Sequence, residues 1–87
     1  MPLIHIPPQM RDLTGGTTQV AVEAATLRQA IEALEVRFPG IGARLCKDDE
    51  LAPGLQISID QSMATRSLRT ALKANSELHI LPAFGGG

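Results

Sequence analysis

The 87-residue sequence contains one cysteine, Cys46, and its only Phe, Tyr or Trp residues are Phe38 and Phe84. A single cysteine excludes an internal disulfide and any metal or iron–sulfur site made of cysteines alone. With so few aromatic side chains, the hydrophobic core must be aliphatic. The formal net charge of −1 provides no electrostatic attraction for nucleic acid or for an anionic membrane, so neither is expected as a partner.

Long hydrophobic runs are also missing. No apolar run approaches the 18 or so residues of a membrane-spanning helix, and the opening "MPLIHIPPQM" has no basic segment before its apolar stretch. We therefore expect neither a transmembrane helix nor a signal peptide, and the expected location is the cytoplasm. The chain length corresponds to one small domain.

Apolar and polar residues alternate in four segments, "LIHI", "TTQVAVEA", "LQISID" and "ELHIL", and this period of two predicts four strands. The first two strands are expected to form an antiparallel hairpin with a long loop. In that loop Met10 and Leu13 should fold back onto the core, and Gly15-Gly16 should form a tight turn. The predicted inward positions of the strands are Ile4, Ile6, Val20, Val22, Leu55, Ile57, Ile59, Leu78 and Ile80.

The segment "TLRQAIEALEVRF" has helical spacing instead, with one apolar stripe formed by Leu27, Ala30, Ile31, Leu34 and Phe38. Thr26 and Gln29 fit a capping box at its start, and Pro39-Gly40 ends it. Weaker patterns predict single helical turns over 43–47 and around Leu68 and Leu72.

The predicted order is strand, strand, helix, strand, short turn, strand. One amphipathic helix covering one half-buried sheet gives a two-layer α+β domain, expected to span residues 1–82 and to be followed by a flexible tail, 83–87.

Three segments in this order resemble the small sulfur carriers of the MoaD/ThiS type: "LTGG" at 13–16, "ATLRQAIEALEVRFPGI" at 25–41 and "SELHILPAFGGG" at 76–87. The resemblance covers nearly the whole chain and implies a ubiquitin-like β-grasp fold, with a mixed sheet of four to five strands packed on one main helix. Two positions depart from the family pattern. Asp60-Gln61-Ser62 stands where Asn-Gly is usual, and Gly85 stands where alanine is frequent.

The resemblance also implies a function for the terminal glycines. In this family a partner adenylyltransferase uses ATP to adenylate the terminal carboxylate, a sulfur donor converts it to a thiocarboxylate, and a sulfur-using synthase passes the sulfur to a small molecule. The reacting residue would be Gly87, preceded by Gly86. Glycine has no Cβ, so the tail could enter a narrow channel in a partner. The protein would be a co-substrate rather than an enzyme, with no bound cofactor.

The residues expected to face the partners are Leu3, His5, His79, Leu81, Phe84 and Gly85. A β-grasp fold makes the first and last strands parallel neighbours, which would bring His5 close to His79. Two histidines without a nearby carboxylate make a poor metal site, so no metal is expected there. Cys46 is interpreted as structural.

The identity of the sulfur acceptor stays open. Carriers of this length most often serve molybdopterin synthesis, which ranks first. Cysteine synthesis is a close second, because the opening "IPPQMRDLTGG" resembles carriers of that pathway, where the acceptor is an activated serine derivative. Two other functions remain: a ubiquitin-like modifier whose tail forms isopeptide bonds, and a β-grasp binding module with an inert tail.

Overall fold

Four strands form one mixed sheet, and an eleven-residue helix covers one of its faces. A computed structural model of the chain describes residues 1–48, 50–61 and 67–82. The elements are β1 (Leu3–His5), a 3₁₀ turn (Pro8–Met10), β2 (Gln19–Ala21), α1 (Leu27–Arg37), α2 (Ile41–Leu45), β3 (Cys46–Lys47), β4 (Glu50–Leu51), β5 (Leu55–Ile59) and β6 (Glu77–Pro82).

The order of strands in the main sheet is β2-β1-β6-β5, while β3 and β4 form a separate two-stranded sheet. β1 pairs antiparallel with β2, as predicted for the hairpin, and parallel with β6, with Ile4 opposite both Val20 and Leu78. β5 completes the sheet antiparallel to β6. The strands nearest the two ends of the sequence are therefore the central pair, and the predicted α+β β-grasp fold is confirmed.

The alternating positions predicted to face inward do form the core. Ile4, Ile6, Val20, Val22, Ile57, Leu78 and Ile80 are buried, and Leu55 and Ile59 pack against them. Met10 and Leu13 fold back onto this core as expected. Burial of each large aliphatic side chain contributes about 1.5–3 kcal/mol. The aliphatic core is the main source of stability in the domain.

Helix α1 begins at the predicted cap. Thr26 Oγ1 accepts a hydrogen bond from the Gln29 amide at 3.3 Å. The Gln29 side chain reaches back in return, but it accepts from the Ala25 amide at 2.8 Å instead of from the cap residue itself. The helix ends at Arg37 with Phe38 as its C-cap, and Gly40 then adopts a positive φ of 103° that most other residues would resist. Among the described residues no helix has the length and apolarity needed to cross a bilayer.

The predicted helical turn around Leu68 and Leu72 is wrong. Their segment has turn and bridge structure and runs past the start of α1, where the amide of Leu27 donates to the Thr70 carbonyl at 2.9 Å and the amide of Arg28 donates to the Leu68 carbonyl at 3.0 Å. The first amides of a helix have no partner within the helix, so these carbonyls satisfy them. Both leucines still pack on the core, which explains their spacing without a helix.

The predicted turn over 43–47 is a helix that begins two residues earlier, α2, and the β3–β4 hairpin that follows it was not predicted. The Glu35 carboxylate links α1 to α2, because it accepts hydrogen bonds from the amides of Gly40 at 2.9 Å and Gly42 at 2.7 Å. The bond from Gly40, followed by that from Gly42, lowers the pKa of Glu35 below its ordinary value.

We predict that Glu35→Gln lowers the urea midpoint at pH 7 and that Glu32→Gln, an exposed change on the same helix, does not. The ionised form of Glu35 is the better acceptor. Its contribution is present above the ordinary glutamate pKa of about 4.3 and is lost as the pH falls through the lower pKa of the folded protein. The gap between wild type and Glu35→Gln should therefore narrow from pH 7 to pH 3. Equal midpoints at pH 7 would contradict this role.

Candidate functional site

A row of side chains lies on the outward face of β1 and β6, opposite the core. The parallel register places His5 beside His79 and Leu3 beside Glu77, while Leu81 lies further along β6. Leu3, His5 and His79 are half-buried. Leu81 is 37% exposed, which is more than any other leucine in the described strands. We call Leu3, His5, Glu77, His79 and Leu81 the outer row. The predicted outward direction of its two histidines and two leucines is confirmed.

The two histidines are in contact, as the resemblance implied. Their ring centroids are 4.1 Å apart, with 37° between the ring planes. His5 Nε2 lies 3.1 Å from Glu77 Oε1, and the amide nitrogen of Gln19 lies 3.5 Å from His5 Nδ1. Both nitrogens of the His5 ring therefore have a polar neighbour, and the ring is oriented by groups on β2 and β6.

The expectation that no carboxylate lies near the two histidines is wrong, because Glu77 is in contact with His5. The sequence contained a signal for this arrangement. Glu77 and His79 are two positions apart in a predicted strand, and residues at that spacing lie on the same face of a sheet. The position of this pair next to His5 depends on the register of β1 on β6 and not only on their parallel direction, and the register is set by tertiary structure.

Asp60 holds the start of β6 in position. Its carboxylate accepts from the Glu77 amide at 2.8 Å and from Ser76 Oγ at 2.9 Å, and its own amide donates to the Glu77 carbonyl at 2.9 Å. The bond from the Glu77 amide, then that from Ser76, lowers the pKa of Asp60. Asp60 and Gln61 have φ values of 53° and 63°. The left-handed conformation typical of Asn-Gly is thus retained without those residues.

The other predicted site residues, Phe84, Gly85, Gly86 and Gly87, lie outside the described residues, as does Ser62 of the departing turn. Cys46, interpreted as structural, is described. Its thiol donates to the Gly42 carbonyl at 3.3 Å and its side chain packs against the core, in line with the structural role expected for it.

Comparison with known proteins gives a consistent result. The sequence model of the ThiS family matches residues 4–87. The sulfur carrier protein CysO of Mycobacterium tuberculosis is 31% identical over 91 residues, covering 97% of this chain and 96% of that protein.

Two solved structures have the same fold. A chain of the Amycolatopsis orientalis BexX/CysO complex superposes with a TM-score of 0.87 at 30% identity, covering both chains completely. SAMP1 from Haloferax volcanii superposes with a TM-score of 0.72 at 27% identity, covering 99% of this chain and 98% of that one.

Proposed function

The chain belongs to the ThiS family, whose members are small carrier proteins and not catalysts themselves, and we propose that it carries sulfur as a thiocarboxylate on Gly87. The observation that supports this most directly is the position of β6. This strand is paired on both sides in the middle of the sheet, and its last residue, Pro82, is the point from which "AFGGG" continues. The five residues from 83 to 87 can reach roughly 15–18 Å when extended.

A free carboxylate cannot accept sulfur directly, because it is a poor electrophile. In the proposed reaction the Gly87 carboxylate attacks the α-phosphorus of ATP on a partner enzyme and pyrophosphate leaves. Hydrosulfide delivered by a sulfur donor then attacks the acyl carbon and AMP leaves, so the product is a thiocarboxylate. The thiocarboxylate sulfur later displaces the activating group from a carbon of the acceptor, and hydrolysis of the resulting thioester releases the acceptor thiol and regenerates the carboxylate. Glycine suits this chemistry because it has no Cβ and no side-chain nucleophile.

Two partners follow from this scheme: an adenylyltransferase and a sulfur-using synthase. The outer row, together with Phe84 and Gly85 of the tail, is the proposed contact surface for them. Leu81 would enter an apolar pocket next to the departing tail, since among the β6 side chains whose burial is described it is the exposed apolar one. The CysO-like chain in the Amycolatopsis complex supports docking of this fold on a protein partner.

For the acceptor we propose an activated serine derivative, as used for cysteine synthesis. The named relatives are CysO sulfur carriers, and the opening "IPPQMRDLTGG" resembles the carriers of that pathway. The molybdopterin precursor, ranked first from the sequence, has no comparable support and becomes the second acceptor to test with the purified thiocarboxylate.

A ubiquitin-like modifier is the second candidate function, because SAMP1 of Haloferax volcanii is a small archaeal modifier protein by name and shares this fold at 27% identity. In that case the activated Gly87 would form an isopeptide bond with a lysine of another protein. A β-grasp binding module with an inert tail is the third candidate function. It predicts that loss of residues 85–87 changes nothing measurable.

We predict that Leu81→Asp weakens binding to the adenylyltransferase and leaves folding nearly unchanged. An exposed substitution costs within about 0.5 kcal/mol of stability, whereas a charge placed against an apolar pocket loses hydration. Binding should weaken at least about tenfold, which corresponds to about 1.4 kcal/mol. Val36→Asp is the matched control, because Val36 is an exposed apolar residue on α1. Unchanged affinity for Leu81→Asp would remove this residue from the interface.

We expect protein isolated from cells that contain the cognate activating enzyme to carry one sulfur in place of one oxygen on its C-terminal peptide. Intact mass spectrometry also tests whether the mature chain ends at Gly87. Sulfur located on Cys46 would instead indicate a persulfide carrier. Blots of the same cells distinguish the modifier function from the carrier function. Only isopeptide formation would produce a ladder of covalent conjugates that disappears when Gly87 is deleted.

Adding one alanine after Gly87 should abolish the reaction while preserving the fold. The extension moves the carboxylate by roughly 3.3–3.6 Å and adds a Cβ. Because a misplacement of about 1 Å can cost about 100-fold in a positioned reaction, ATP–pyrophosphate exchange should fall by at least that factor. The matched control carries one extra alanine before Met1. Exchange at the normal rate, with the extended mass verified after the assay, would exclude Gly87 as the reacting residue.

A further inference from the structure

We propose that His5, Glu77 and His79 of the outer row form a binding site for a divalent transition metal such as Zn²⁺. One potential ligand atom from each residue lies within 4.8 Å of the other two. Over the described parts of the chain, this is the one group of three or more histidine, cysteine and acidic residues that meets this condition. The inference does not depend on the proposed sulfur chemistry.

The distances are close to those that a zinc ion requires. Tetrahedral Zn²⁺ with bonds of about 2.0–2.1 Å separates its ligand atoms by roughly 3.3 Å. His5 Nε2 and Glu77 Oε1 are already 3.1 Å apart. A ring nitrogen of His79 lies within 4.8 Å of the ligand atoms of both other residues, so a side-chain movement of up to about 1.5 Å would bring it to the separation that a shared zinc ion requires.

The scaffold beneath these side chains is rigid. The three residues belong to two hydrogen-bonded strands in direct register, and the residues between them, Ile4 and Leu78, are buried in the core. Ligands on paired strands keep their relative positions better than ligands on loops. Little ordering of the backbone is therefore needed when the metal binds.

The donor set selects the class of metal. Two imidazoles and one carboxylate suit Zn²⁺, Cu²⁺ or Ni²⁺, whereas Mg²⁺ and Ca²⁺ prefer oxygen ligands throughout. A metal bound through His5 Nε2 requires the ring tautomer that carries its proton on Nδ1. Gln19 lies at 3.5 Å from Nδ1, and its amide can turn to present its oxygen as the acceptor, which would orient the ring as an outer partner.

Space for a further ligand exists beside the three residues. An open recess of about 190 Å³ is lined by Asp60, Gln61, Glu77 and His79. The carboxylate of Asp60 is engaged by Ser76 and by the Glu77 amide, so it does not compete as a direct ligand, but its charge favours a cation in the recess. Water, or a side chain of a docked protein, could take the fourth position.

The test uses the untagged full-length chain, because a histidine tag would bind the metal. Titration calorimetry with ZnCl₂ should give one ion per chain, and MgCl₂ should give no binding. Zn²⁺ binding should weaken by at least about 100-fold in each of the variants His5→Asn, His79→Asn and Glu77→Gln. Loss of a hydrogen-bond partner behind a ligand costs up to about 100-fold, and loss of the ligand itself should cost more. Cys46→Ser and Asp12→Asn are the controls, and both should bind Zn²⁺ as the wild type does.

A second readout needs no variant. The chain has only two histidines, so their imidazole signals in an NMR spectrum are few and assignable. Both sets should shift together as Zn²⁺ is added and stop shifting at one equivalent. Shifts of neither ring, binding that survives all three ligand substitutions, or binding that is lost in Cys46→Ser would each overturn the proposal.

Discussion

Parallel pairing of β1 with β6 is the contact on which the rest of the structure depends. It joins residues 3–5 to residues 77–79, so it closes almost the whole chain into one loop. Such a long-range contact has a large entropic cost, and the burial of Ile4 and Leu78 in the core offsets it. β2 and β5 then add to the two outer sides of this pair and complete the sheet.

The same register also determines what the opposite face presents. Because side chains alternate, each buried residue in the central pair fixes an outward neighbour, and the outward neighbours are His5, Glu77 and His79. The face of the sheet that could bind a metal and the strand that leads into the tail therefore belong to one rigid unit. A partner that docks on the outer row would hold β6, and with it the starting point of residues 83–87, at a defined position.

Polar contacts between distant segments position the irregular parts of the chain. Carbonyls of the segment 67–72 satisfy the first amides of α1, the Glu35 carboxylate holds the start of α2, and Asp60 holds the start of β6. In each case a group that would otherwise lack a partner receives one from another element, which avoids the cost of an unsatisfied backbone group. These contacts explain how loops with little sequence pattern acquire a definite structure.

Local periodicity in the sequence determined the four main strands, the long helix and the inward or outward direction of nearly every apolar residue. These features were predictable because they depend on the spacing of residues within one segment. The β3–β4 hairpin, the course of residues 67–72, the turn at Asp60-Gln61 and the approach of Glu77 to His5 were decided by tertiary structure. Each depends on a partner far away in the sequence, and a helical spacing such as that of Leu68 and Leu72 cannot reveal that its carbonyls are needed by another helix.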